Sequence, residues 1–251
     1  MTSDKLQKNI LSTYFTLRMG IAVLSVALPL ILYFGGKLGS IDLLNSMSAY
    51  YGDHGGLMRN WLVGILWVVG SFLYLYKGFS TLENILLNLA GGFAVGVAIV
   101  PCNCWRDAVG ANSKLHAFVA VSFFLSMAAV CLLCAGDTIS LLPDQKTRDA
   151  FKRRYRVIGI LLVASPATAV LVSYVLRQFD NYKFFVEAFG VWMFAAYWLV
   201  KSREFSITSA EKRAVRGQLE NRRGRGVVPS PSSGAVSPVS SRGDVVGVPI
   251  R

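Results

Sequence analysis

The sequence predicts an all-α integral membrane bundle of six transmembrane helices, and three observations carry that prediction. Hydrophobic residues make up 53% of the 251 residues and charged residues only 16%, against about 25% charged in an average soluble chain. The apolar residues fall in long unbroken blocks rather than in period-2 or period-3.6 alternation, as in a polytopic membrane protein. The formal net charge of +12 sits in particular connections and in the C-terminal tail, which fits membrane topology and argues against nucleic acid as a partner.

Crossing a hydrocarbon layer of about 30 Å takes about 20 helical residues at about 1.5 Å each. Six blocks qualify: 14–35, 58–76, 83–101, 115–135, 157–176 and 184–200. The second and sixth have the shortest uncharged cores, and their flanking cations Arg59, Lys77, Lys183 and Lys201 are expected to reach the headgroups from slightly inside. Helix is required because backbone groups in lipid need partners within their own segment, and barrel-type alternation is lacking. Pro29 and Pro166 inside two blocks are compatible with that. The first block is expected to be a retained span, because its uncharged run over 19–36 exceeds a signal-peptide core. Neither end carries a lipidation pattern.

Cations set the expected orientation. With the N-terminus inside, the inner segments and the tail hold nineteen Lys and Arg against six in the outer connections, Arg18 within the first span being left out. That bias predicts cytoplasmic N- and C-termini in a cell membrane, expected to be a bacterial inner membrane. The chain then divides into a transmembrane domain, 1–203, and a basic, largely disordered cytoplasmic tail, 204–251. The tail includes RRGRG at 222–226 and PSPSSGAVSPVSS at 229–241, a composition that cannot bury a core. A short charged helix over about 207–221 is expected beside the membrane. The tail either binds anionic lipid, each cation contributing about 1 kcal/mol, or acts as a solvated topology anchor.

In the first outer connection, 36–57, Leu43, Leu44, Met47, Tyr50 and Tyr51 recur at the spacing of one helix face. With Ser40 as N-cap and Gly52 as stop, this predicts a short interfacial helix over 41–51 with its tyrosines at headgroup level. Asp53, His54 and Arg59 follow it. The same topology brings Arg106, Asp107, His116 and Glu187 to that outer side. Tyr50, Tyr51, Asp53, His54, Arg59, Asp107, His116 and Glu187 therefore form a candidate outer-face polar site, in which acids orient two imidazoles and an arginine holds a phosphate or carboxylate. An intramembrane carboxylate costs about 2.5 kcal/mol or more, so Glu187 requires a partner, with Arg59, Lys183 and His116 as candidates. The plainer reading is interfacial polarity plus one structural ion pair.

No metal or cofactor is predicted, because two histidines without HxxxH or HExxH spacing fall short of a catalytic ligand set. Ser46 or Ser48 as a nucleophile with His54 lacks an elbow motif. Cys131 and Cys134 are read as packing residues of the fourth span. Cys102 and Cys104, on the outer side, have the option of a labile disulfide in an oxidising space. In the third span Ala90, Ala94 and Ala98, and also Gly92 and Gly96, follow the small-xxx-small rule of close helix approach. Packing inside the bundle is favoured there over a homo-oligomer. Asn88 on the same span either bonds to a neighbour or lines a path.

The segment SMSAYYGDHGGLMRNWLVGILWVVGSFLYLYKGFSTLENILLNLAGGFAVGVAIVPC at 46–102, with LHAFVAVSFF at 115–124, resembles an uncharacterised family of bacterial multi-span membrane proteins, domain of unknown function family 998. The likeness lies in Ser46 to Tyr51, Arg59, the Tyr76, Lys77, Gly78 turn, Asn88 to Gly91 with Gly96, and His116. It covers about a third of the chain and implies no activity, substrate or cofactor. Pro101 followed by Cys-Asn-Cys departs from the pattern. The expected function is therefore non-enzymatic: binding or moving a lipid or small amphiphile, or supporting a membrane complex. The alternative is an enzyme acting on a lipid headgroup through His54 and His116.

Overall fold

The structure, a computed structural model, describes residues 3–52, 56–102, 111–175, 182–222 and 226–229. Six helices are long and apolar enough to cross a membrane: α1 (Asp4–Leu38), α2 (Leu57–Leu75), α3 (Thr81–Ile99), α4 (Asn112–Ile139), α5 (Gln145–Val175) and α6 (Tyr182–Thr208). Each predicted block overlaps one of them, with 58–76 and 83–101 running one and two residues past the C-terminal ends of α2 and α3. Several helices run past the apolar block because an apolar count marks only the stretch suited to hydrocarbon, while the charged ends still propagate a helix. α1 continues through Pro29 and widens two residues later into a π-turn at Ile31–Gly35. α4 has a second π-turn at Val130–Cys134.

The helices form a closed up-and-down ring, each packing on its sequence neighbour and α6 returning to α1. α1, α3 and α5 therefore finish at one end of the bundle, here the far end, where α2, α4 and α6 begin. Both ends of the ring's chain lie at the other, terminal end. The interior holds Trp198, Tyr197, Phe194 and Tyr76, with Tyr76 edge-on to Trp198 at 5.0 Å. Val23, Phe34, Phe118, Leu133, Val170 and Phe185 point outward, an apolar exterior of the kind that lipid covers.

Four expectations need correction. No helix spans 41–51. Ser40 takes a left-handed backbone with φ 58, its N–H donating to the Lys37 carbonyl and that of Ile41 to the Gly36 carbonyl. That paired pattern closes a helix C-terminus, so Ser40 ends α1 instead of starting a new helix. Residues 41–46 are irregular, and a 3-10 turn at Met47–Gly52 follows. Its Tyr50 and Met47 are buried against the bundle, so their side chains are not presented to headgroups.

The domain boundary at 203 falls inside α6, where Glu204, Phe205 and Thr208 are core residues. The tail continues as a short helix α7 (Ala210–Val215) and a hairpin pairing β1 (Leu219–Arg222) with β2 (Gly226–Pro229). The remainder of the expected tail, 230–251, lies outside the described residues. Of the small residues on α3, Ala90, Ala94 and Ala98 are buried but Gly92 has open space around it and Gly96 only ordinary contact with Val119. Close approach runs instead through Gly91 and Gly70, where a Cβ on either would stand within 2.8 Å of the other's carbonyl oxygen. Finally, Lys201 does not reach a headgroup, being 1% exposed.

Candidate functional site

At the far end, residues 45–48 are pinned between helices. The Asn45 carbonyl accepts the N–H of Phe184 at 2.9 Å, meeting one of the unpaired donors of the first turn of α6. One turn on, the Glu187 carboxylate accepts the Ser46 hydroxyl at 2.9 Å and the Met47 N–H at 2.8 Å. The Ser46 Oγ in turn accepts the Ser48 N–H at 3.1 Å. The intramembrane acid is thus satisfied chiefly by a loop hydroxyl and a loop amide, donors invisible to a search for opposite charges. Lys183, one turn earlier on α6, adds an electrostatic contribution. Arg59 is exposed, and His116 bonds elsewhere.

His116, 5% exposed at the start of α4, makes two hydrogen bonds. Its Nδ1 lies 2.7 Å from the Val100 carbonyl oxygen and its Nε2 lies 2.9 Å from the Ser48 Oγ. A carbonyl only accepts, so Nδ1 carries a proton; in the neutral ring Nε2 is then the acceptor and Ser48 the donor. A pairing of Ser46 or Ser48 with His54 falls outside the described residues; among those described, Ser48 pairs with His116.

These groups line one cavity of about 360 Å³. Ser46, Ser48, His116, Lys183 and Glu187 furnish one region of its wall. Leu62, Leu66, Val97, Phe123, Phe124 and Val191 furnish much of the rest. Ser165, whose hydroxyl is spent on the Val186 carbonyl at 2.9 Å, and Pro166 complete it from α5. Of the candidate residues, His116 and Glu187 meet in this cavity. Tyr50 is buried beside Phe184, with ring centroids 6.1 Å apart, and Tyr51 is half-buried; neither lines the cavity. Asp53, His54, Arg106 and Asp107 lie outside the described residues. Cys102 stands in the cavity wall, while Cys104 is outside the described residues. Cys131 and Cys134 are buried thiols within α4, as packing residues should be. Among the described residues no group of three or more His, Cys, Asp and Glu is placed to hold a metal.

The terminal end holds a charge cluster that sequence reasoning missed. Lys201 pairs with Glu83 at 3.6 Å, both side chains essentially inaccessible. Lys201 also donates to Thr138 Oγ1 at 3.2 Å, and Thr138 and Tyr155 both donate to Glu204. The Phe79 N–H donates to Glu83 at 2.8 Å, and Ser80 Oγ accepts the Glu83 N–H at 3.2 Å. The Ser80-to-Glu83 spacing is close to a capping box, a legible signal for the start of α3. Arg18, buried in α1, pairs with Glu211 of α7, donates to Ser202 at 3.1 Å and stands 4.9 Å above the Phe205 ring. Burial pushes the Glu211 carboxyl up, with Arg18 opposing.

A separate cavity of about 380 Å³ opens at this end, with Lys77, Gly78, Phe79 and Glu211 in its wall. Asn88 lines neither cavity, and its Oδ1 is buried without a hydrogen-bond partner.

No family model, no curated protein and no solved structure matches this chain.

Proposed function

We propose that this is a membrane protein whose far-end cavity binds a lipid or a small amphiphile. The observation that supports this is the composition of one wall: apolar side chains from several helices suit an acyl chain, and Lys183, Glu187, His116 and two serines suit a polar head. The cation bias supports the reading in which both termini are cytoplasmic and the cavity's polar groups face the outer leaflet, in a membrane taken to be a bacterial inner membrane. Binding is favoured over passage, because the walls of the far-end cavity include neither Asn88 nor Lys77. The basic tail adds attraction to anionic lipid, and support of a larger membrane complex or homo-oligomer is compatible with the same site.

Native mass spectrometry of the delipidated full chain with a lysophospholipid tests this. One equivalent is expected to bind, and Ala120→Trp, which fills the cavity from α4, is expected to weaken binding at least tenfold. Equal binding by the filled variant would contradict the assignment.

A further inference from the structure

We propose that Ser48 and His116 form a nucleophile and general-base pair that cleaves an acyl ester of the bound amphiphile. The proposal rests on the cavity being an amphiphile site and goes beyond it by assigning a reaction. Three features separate this serine from an ordinary buried hydroxyl. Its proton is directed at an imidazole nitrogen 2.9 Å away, within the reach that nucleophile activation requires. The other ring nitrogen is fixed by the Val100 carbonyl at 2.7 Å, which orients the ring and sets its tautomer, the part a third group plays in a catalytic triad. Both side chains also line a cavity whose remaining wall is largely apolar, so an ester carbonyl at the junction of head and tail can be presented to Ser48.

The serine is itself held in place. Its N–H is bound by Ser46, and Ser46 is anchored to Glu187. Ser46 is thus committed to a carboxylate and is not the nucleophile. In the reaction, Ser48 Oγ bonds to the ester carbonyl carbon while its proton moves to His116 Nε2. The bond from that carbon to the alcohol oxygen breaks, and the alcohol leaves with the proton from Nε2. Water then attacks the acyl-serine, giving its proton to Nε2, and the carboxylic acid and the Ser48 hydroxyl are released. No oxidant or metal is consumed. Among the described residues Lys183 is the one lysine or arginine lining the cavity, and it suits a substrate with an anionic head.

A fluorophosphonate probe applied to the full chain in lipid nanodiscs, followed by peptide mass spectrometry, reads the nucleophile directly. An adduct on Ser48 is expected, absent in Ser48→Ala, retained in Ser206→Ala, whose hydroxyl bonds only to the Arg203 carbonyl away from the cavity, and slowed about 100-fold or more in His116→Ala, as loss of a general base implies. Added imidazole is expected to restore part of the labelling in His116→Ala, a rescue that a structural histidine would not give. Lysophospholipid binding is measured alongside on every variant. Binding without a Ser48 adduct overturns the catalytic assignment and leaves the binding reading standing. Loss of both in the wild-type chain overturns both. Labelling of Ser48 at an unchanged rate in a binding-competent His116→Ala variant overturns the role of the histidine. Should His116→Ala fail to bind lipid, His116→Gln is read in its place against the same expectation.

Discussion

Lys201 illustrates how a single side chain is committed by its surroundings. Two carboxylates, Glu83 and Glu204, share its neighbourhood, and hydroxyls of Thr138, Tyr155 and Tyr197 fill in around them. Removing one partner of a buried pair leaves an uncompensated charge and costs about 3–5 kcal/mol. Lys201→Met is therefore expected to lose that much stability in reversible unfolding in detergent, and adding Glu83→Gln to regain part of it; an additive double variant would show the pair to be uncoupled. Asp144, ahead of α5 and outside the membrane-spanning segments, accepts the Thr147 N–H at 2.7 Å, and that bond holds its carboxyl below the usual carboxylate range. A depressed carboxyl stabilises above its unfolded pKa and loses that contribution as pH falls through the folded value. Hydrogen exchange in the first turn of α5 is expected to speed up relative to the rest of the helix as pH drops below the ordinary aspartate range. Asp144→Ala should abolish that pH dependence.

The six apolar blocks were legible because hydrocarbon selects for a run of residues regardless of what each one touches. Partners across the bundle were not, since they depend on which helix faces which. Glu187 shows this: the sequence announces a costly acid, but its satisfaction by Ser46 and Met47 depends on a loop folding onto the start of α6. The interfacial-helix expectation failed for a related reason. Helical spacing in the first connection was real, yet the left-handed turn at Ser40 and the burial of Tyr50 took over the residues that would have nucleated it. On α3 the small-residue rule found the right helix and the right alanines but, in Gly92 and Gly96, the wrong glycines. Gly91→Ala is expected to cost about 1–3 kcal/mol by overpacking against the Gly70 carbonyl. Gly92→Ala, with open space around it, should stay within about 0.5 kcal/mol of the parent. Paired melting curves in one detergent decide between the two glycines.

Across the whole molecule, the ring brings polar chemistry to its two ends by different means. The terminal end is closed by charge: α7 returns Glu211 to Arg18, and the Glu83–Lys201–Glu204 cluster ties together helices far apart in sequence. This explains an arginine within the first span that the charge count had to leave aside. The far end is closed by hydrogen bonds from residues 45–48 to α4 and α6, and these leave a cavity in place of a plug. That His116 and Glu187 share one end of the bundle follows from counting crossings. The sequence could not indicate that Ser48 would meet His116, because that contact joins residues 68 positions apart.

The most direct test of this account is photolabelling in a native-composition bilayer with a phospholipid carrying a diazirine at mid-chain, the cross-linked peptides being identified by mass spectrometry. Occupancy of the far-end cavity predicts adducts on inward-facing Val97, Phe124 and Val191, competed away by excess lysophospholipid and lost in Ala120→Trp. Adducts confined to outward-facing residues such as Val23, Leu133 and Phe185, with no competition, would contradict it.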